Sequence, residues 1–313
     1  NADVLNLIKN ASKYGVEIPE YTIKWSKVIK RSRDVSKRLN KGIEFLLGKN
    51  DIKFFPAKGK LISKNVVEII AKDEAVNQIS ASSIIIATGA RPKWFNGIEP
   101  DGDRVITSKE AMIMPNRPKS LIIIGAGAIG IEFAHFYNSY GTDITIIEAQ
   151  SQILPLEDKD ISKELFGIFK KRKINIKTNT TVSNIERFKT NVKVHTNDGS
   201  VIEAENALIA VGVKANIENI GLENIGIKLK NGSIFTNSFM QTNIDGIYAI
   251  GDVVGPPWLA HVASEEGLVA AEHLSGKDPS PMLYDNIPGC TYANPEVASV
   301  GLTEDDALKQ VIK

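Results

Sequence analysis

The stretch Leu121–Gln150 reads LIIIGAGAIGIEFAHFYNSYGTDITIIEAQ. Four apolar residues, Leu121 to Ile124, suit a strand covered on both faces. Gly125, Ala126, Gly127, Ala128, Ile129 and Gly130 then fit G-x-G-x-x-G. A helical pattern follows, and a second strand, Ile144 to Ile147, ends in Glu148, eighteen positions beyond Gly130. A glycine turn between strand and helix, with an acid about 20 residues further on, is the pattern of a dinucleotide-binding βαβ unit.

The residue types match the chemistry. Gly125 permits the tight turn, Gly127 lets the backbone approach a pyrophosphate, and Gly130 lets helix and strand pack closely. The helix N-terminus offers N–H groups and partial positive charge to phosphates. Glu148 accepts bonds from adenosine ribose hydroxyls and repels a 2′-phosphate, which favours NAD(H) over NADP(H). A glycine-rich turn without a ligand is the alternative, and the full context counts against it. Glu132 lies two residues beyond Gly130. It reads either as a helix-dipole partner in the first turn or as a group near the nicotinamide, and spacing alone favours the first.

Working outward, residues 3–14 carry an amphipathic helix pattern closed by Gly15, and a longer helix runs from about Ile23 to Leu47. Trp25, Val28, Ile29, Val35, Leu39, Ile43 and Leu46 recur along it at near-helical spacing, beside many Lys and Arg. The basic residues read as a solvated face rather than a docking surface. From Ile52 to Ile70 the pattern is strand-like, with Gly59 at a bend. SSIIIATGARP (82–92) is a buried strand, a glycine turn and a proline stop, and ALIAVGVKAN (207–216) repeats that form. The echo suggests two related nucleotide-binding units. A further strand series leads to IYAIGDVVG (247–255), and residues 260–275 form a helix. In that stretch a buried strand stops on Gly251-Asp252, where Asp252 is either a hydroxyl acceptor at a strand's carboxyl end or an Asx-turn or helix cap.

Four pieces now stand in order: ATGARP, GAGAIGIE with IIE, AVGVKAN, and YAIGD followed by WLAHVASEEG. This order resembles the pyridine-nucleotide:disulfide oxidoreductases, and LNKGIEFLLGKN (39–50), LAHVASEEG (259–267) and IPGCTYANPEVASVGLTE (287–304) are similar to the dihydrolipoamide dehydrogenases among them. The resemblance covers nearly the whole chain. It implies FAD and NAD as cofactors, and electron transfer from protein-bound dihydrolipoamide through a redox disulfide and FAD to NAD⁺. It gives Asp252 to the FAD ribityl chain, Leu259, Ala260 and His261 to the flavin ring, Thr88 and Gly89 to the nucleotide end of FAD, and Gly59 to its adenosine part. It gives Gly125 to Glu132, Glu148, Val182 and Gly212 to NAD, with Glu132 near the nicotinamide.

The fold it implies is α/β: a discontinuous FAD domain (1–115 and 236–284), an inserted NAD domain (116–235) and the start of an α+β dimer-interface domain (285–313). The implied partners are a second copy of the chain and the lipoyl domains of 2-oxo acid dehydrogenase or glycine cleavage complexes. The implied setting is the bacterial cytoplasm or the mitochondrial matrix. The family's first glycine fingerprint, its C-x-x-x-x-C pair and its His-Glu pair are not in these residues. The expectation is that both ends are cut and that the chain alone is catalytically inactive. AVGVKAN also lacks the Arg-Pro that many relatives carry. Other readings are a related glutathione or mercuric ion reductase, and a non-catalytic NAD-binding module.

Composition sets the remaining bounds. Hydrophobic content of 42% and a net charge of +1 over 313 residues give no reason to expect nucleic acid or a membrane as partner. A single cysteine, Cys290, excludes an intrachain disulfide, and the four histidines have no metal-ligand spacing. Cys290 and His135 read as packing residues, and His195 and His273 as surface residues. Trp258 reads either as packing over the flavin edge, which the resemblance favours, or as capping a loop.

Overall fold

A computed structural model describes residues 1–71 and 76–310. Residues 311–313, the end of the expected 285–313 segment, lie outside it. The chain is mixed α/β and divides into two compact units. The first comprises Asn1–Lys41, Pro92–Gly212 and Pro288–Lys313, and the second Gly42–Arg91 and Val213–Ile287.

The first unit is built on a five-stranded sheet in the order Val105–Thr107, Asn206–Ile209, Ser120–Ile124, Asp143–Ile147, Asn175–Lys177. Every neighbouring pair is parallel. The run Leu121 to Ile124 is apolar throughout because both faces of its strand are covered. Leu121 and Ile123 face a cluster with Ile131, Ala134, Tyr137, Leu165 and Phe169 from helices Ala128–Ser139 and Lys159–Lys171. Ile122 and Ile124 face Ile185, Val192 and Val194 from an antiparallel three-stranded sheet (182–204). The result is three layers: helices, parallel sheet, antiparallel sheet.

Local chemistry starts and stops these elements. Asp158 caps helix Lys159–Lys171 by accepting the N–H of Asp160 at 2.9 Å, and Lys170 and Lys171 lie in its last turn, where the dipole favours them. The single helix expected over residues 3–14 breaks at Asn10 into helix Ala2–Lys9 and the short 3-10 turn Ala11–Tyr14, and Gly15 closes the latter in the left-handed region, as the sequence suggested.

The long helix spans Trp25–Lys49, but none of its residues is buried. Val28 packs against Ala2, Leu5 and Tyr140, and Trp25 is gripped firmly. Its ring lies 5.5–5.8 Å from Phe136, Tyr137 and Tyr140, and its N–H donates to the Met114 carbonyl at 2.9 Å. Leu39, Ile43 and Leu46 are exposed, so the apolar stripe marks a helix without marking a core face.

In the second unit, strand Ile247–Ala249 pairs in parallel with Ile84–Ile86. Ile247 and Ala249 pack with Leu61, Ile86 and Val253, while Tyr248 points to the other side, against Met240, Val262 and Ala270. Strand 247–249 is therefore covered on both faces, as expected. Strand 84–86 is not, because Ile85 is exposed. Gly59 is not at a bend: it lies within strand Lys58–Ser63, opposite Ile69, with ordinary backbone geometry. The chain there needs no left-handed residue, so the glycine marks an extended, exposed position.

His135 is buried, as a packing residue should be, and its Nδ1 has no hydrogen-bond partner among the described residues. Burial, and then the charge of Arg172, hold its pKa below the ordinary value, against the pull of Asp3, 3.6 Å from Nε2. His273 is not a surface residue. It is half-buried, bonds the Tyr248 hydroxyl at 2.8 Å and stacks on Phe239. His195 is half-buried too rather than a surface residue, with its Nε2 buried 2.8 Å from a Glu186 carboxylate oxygen. Cys290 is half-buried in the short strand Gly289–Thr291 rather than in the core.

Two tests follow from this packing. Phe169→Ala removes a fully buried ring and is expected to cost about 3–5 kcal/mol in urea unfolding. A loss under about 1 kcal/mol would contradict the layer described. A histidine whose folded pKa lies below its unfolded value of about 6.5 adds stability above that pH and loses it as pH falls through the folded pKa. The thermal midpoint is therefore expected to fall more steeply below about pH 6.5 in the native chain than in His135→Gln, and parallel curves would refute the account.

Candidate nucleotide-binding sites

The glycine loop of the first unit is held by close backbone approach. Gly125 has φ of +103°, and a β-carbon there would meet the Ala210 carbonyl oxygen at 2.3 Å. A β-carbon on Gly130 would lie 2.0 Å from the Gly125 carbonyl oxygen. Neither position admits a side chain while the backbone keeps this path. Gly127 differs: it is the N-cap of helix Ala128–Ser139, and a β-carbon there meets nothing within 4 Å. The space above Gly127 is open, no side chain caps the helix, and its first N–H groups have no intrahelical partner. That is a cradle suited to a pyrophosphate. Ala128 is exposed at its rim, Ile129 is half-buried, and Gly130 is buried.

Glu148 ends the next strand and is only 7% exposed. One carboxylate oxygen accepts the N–H of Ala126 at 2.6 Å, and the other accepts that of Gln150 at 2.8 Å. A carboxylate has about four acceptor sites, so two remain for ribose hydroxyls. Glu148 thus braces the glycine loop as well as ending its strand. Its carbonyl accepts the N–H of Thr180, two residues before Val182, which packs against the sheet. Gly212 follows Ala210 and Val211, the residues that crowd Gly125, and has φ of +103°. The structure therefore gathers Gly125 to Gly130, Glu148, Val182 and Gly212 around one end of the sheet.

Glu132 is not in the first turn, since the helix begins at Ala128. That removes the dipole-partner reading. One of its oxygens accepts the N–H of Tyr292 at 2.9 Å, which ties the helix to strand 289–291. The Cys290 thiol nearby is pushed up in pKa by burial and by Glu296, Glu132 and Glu157, so it stays protonated.

The second unit holds the other expected residues. Gly251 has φ of +72°, and Asp252 is the second residue of the single turn Gly251–Val254. The cap of that turn is Ile250, so Asp252 is not a cap. Burial pushes its pKa up, and no hydrogen bond or charge among the described residues offsets it. A half-buried carboxylate with free acceptors fits a polyol. Leu259 is the N-cap of helix Ala260–Leu274, again without a side-chain cap. Ala260 and His261 open that helix, both exposed, and Trp258 before it is 42% exposed rather than packed away. Thr88 and Gly89 are stitched by Asn216: the Asn216 N–H bonds the Gly89 carbonyl at 2.9 Å, and its side-chain amide bonds the Thr88 carbonyl at 2.9 Å. Gly59 lies in the antiparallel strand already described.

Two residues escaped the sequence reading. Asn216 directly follows Lys214-Ala215, where the family's Arg-Pro is missing, and nothing in the sequence marks it as a clamp. Glu266 bonds the Gly251 N–H from a buried position. It had a signal: Val262, Glu266, Val269 and Ala270 share the buried stripe of their helix.

The glycines separate two kinds of effect. Gly127→Ala is expected to leave the thermal midpoint unchanged and to weaken NADH binding about ten-fold or more, since the added methyl enters the open cradle. Gly130→Ala is expected to lower both, because the backbone must move. Equal thermal midpoints for the two variants would contradict the geometry.

The model of the Pyridine nucleotide-disulphide oxidoreductase family matches residues 5–267. Dihydrolipoyl dehydrogenase of Zymomonas mobilis is 42% identical over 315 residues, covering 99% of this chain and 68% of that protein. Dihydrolipoyl dehydrogenase of Chlorobaculum parvum is 40% identical, covering 98% and 66%. The chain thus spans about two thirds of the length of these curated relatives. Among solved structures, LpdA of Mycobacterium tuberculosis superposes with a TM-score of 0.92 at 26% identity, covering 99% of this chain and 68% of that one. The Escherichia coli flavoprotein disulfide reductase RclA, solved as a Cu(II) complex, gives 0.86 at 25% identity with the same coverage. FAD and NAD are the cofactors of this group of oxidoreductases. With its glycine cradle, its acid-ended strand and its Gly-Asp turn, the chain belongs to the pyridine nucleotide-disulphide oxidoreductase family.

Proposed function

We propose that this chain is the nucleotide-binding part of a dihydrolipoyl dehydrogenase, which oxidises protein-bound dihydrolipoamide and reduces NAD⁺. The observation that carries the NAD assignment is the Glu148 carboxylate, bonded to Ala126 N–H beneath the glycine loop. A carboxylate fixed there accepts ribose hydroxyls and repels a 2′-phosphate. The lipoamide assignment is supported by relatives of that name at 36–44% identity.

When bound, FAD and NAD supply the electron-transfer chemistry, and the protein supplies orientation and electrostatics. Gly127 and the helix N-terminus receive the NAD pyrophosphate, Glu148 the ribose, and Glu132 lies toward the nicotinamide, with Val182 and Gly212 flanking the dinucleotide. Asp252 receives the ribityl hydroxyls of FAD, Leu259, Ala260 and His261 face its ring, and Thr88, Gly89 and Gly59 receive its nucleotide end. Residues 1–115 and 236–284 serve FAD, 116–235 serve NAD, and 285–313 begin a dimer interface. The single cysteine of these residues cannot form the redox disulfide by itself. The partners of this reading are lipoyl domains and a second copy of the chain.

The test is competitive binding of NADH and NADPH to the purified chain. NADH is expected to bind at least about ten-fold tighter, and Glu148→Ala is expected to erase most of that preference. Tighter binding of NADPH by the native chain would overturn the assignment.

A further inference from the structure

Glu266 is 2% exposed, on the inner stripe of helix Ala260–Leu274. Its carboxylate has no ion-pair partner among the described residues. One oxygen accepts the Gly251 N–H at 2.6 Å, and the other accepts the Tyr284 hydroxyl at 2.8 Å. Burying an acid without a cation is costly, and an apolar side chain would fill this stripe at no such cost. The acid therefore has a task that packing does not explain.

The backbone supplies that task. Ile250 N–H makes the last bond from this strand's end, to the Ile86 carbonyl at 3.0 Å. Gly251 then turns into the left-handed region, and its N–H, as the first of the Gly251–Val254 turn, has no partner within it. Glu266 takes that orphan donor. The next residue is Asp252, whose carboxylate takes no hydrogen bond among the described residues and whose backbone lies in the same turn. Tyr284, in the segment that follows the helix, holds the other oxygen of Glu266 and fixes the carboxylate plane. Asp252 adds its own repulsion to the burial that pushes Glu266 upward in pKa, so the arrangement persists against a like-charge cost.

We propose that Glu266 is a positioning residue for Asp252: held by Tyr284, it fixes the Gly251–Asp252 turn from beneath and so aims the Asp252 carboxylate at the flavin ribityl chain. This rests on the reading of Asp252 as the FAD acceptor. A glutamine at 266 can do the same work, since its carbonyl accepts from Gly251 and its amide donates to the Tyr284 oxygen. A leucine fills the space but offers no acceptor.

The experiment compares the full chain with Glu266→Gln, Glu266→Leu, Tyr284→Phe and Asp252→Asn. Two readouts are taken beside circular dichroism: hydrogen exchange of the Gly251 amide by NMR, and FAD binding by flavin fluorescence anisotropy. Glu266→Leu is expected to speed Gly251 exchange and weaken FAD binding, each about ten-fold or more. Glu266→Gln is expected to stay within about three-fold of the native chain in both. Tyr284→Phe, which leaves the helix untouched, is expected to fall between them in exchange and decides the matter should the leucine variant not fold. Native Gly251 protection in Glu266→Leu, or in Tyr284→Phe where that variant decides, overturns the proposal. So does a glutamine variant as impaired as the leucine one. The flavin reading fails separately: if Asp252→Asn leaves FAD affinity unchanged, or the native chain binds no FAD, the ribityl assignment falls and Gly251 exchange alone judges Glu266.

Discussion

The Gly125 carbonyl oxygen stands 2.0 Å from where a β-carbon of Gly130 would lie. The rest of the first unit follows from that approach. With no side chain in the way, helix Ala128–Ser139 starts directly above the strand, and its first turn points its free N–H groups over Gly127. The same path brings Gly125 against Ala210 on the neighbouring strand, so the sheet and the loop are fixed together. Glu148 then closes the arrangement by accepting the Ala126 N–H from the far end of the next strand. Helix, loop and acid are three consequences of one contact between backbones.

Buried acids in both units serve backbone donors rather than cations. Glu148 bonds two N–H groups, and Glu266 bonds an N–H and a hydroxyl. Each takes a donor from the point where a strand has ended and its ladder of hydrogen bonds has stopped, leaving N–H groups that need acceptors. Carboxylates satisfy them strongly and carry spare acceptor capacity. A nucleotide site is one place where that surplus has a use, because ribose and ribityl chains bring many hydroxyls.

Sequence reading reached what depends on spacing and missed what depends on path. The strand, glycine loop, helix and Glu148 follow from periodicity and residue type, because each is a local property of the chain. Which donors Glu148 meets is set by how the loop folds back, and spacing does not contain that. Gly59 misled for a related reason: glycine permits a bend without demanding one, and an extended strand accepts it too. His273 reads as a surface residue, yet Tyr248 and Phe239 reach it from elsewhere in the chain, which its local sequence does not contain. Glu266 was legible in principle, as the one acid on the buried stripe with Val262, Val269 and Ala270.

The double duty of Glu148 bears on how such a protein changes its diet of coenzymes. Exchanging the acid for an arginine would welcome a 2′-phosphate, but the same exchange strips the glycine loop of its brace and leaves the Ala126 N–H buried without an acceptor. Selectivity and scaffold are thus written in one side chain. An evolutionary or engineered route to the phosphorylated coenzyme has to pass through at least two coordinated replacements, one to greet the new ligand and one to hold the loop, and every single-step intermediate is handicapped in folding before it gains in recognition.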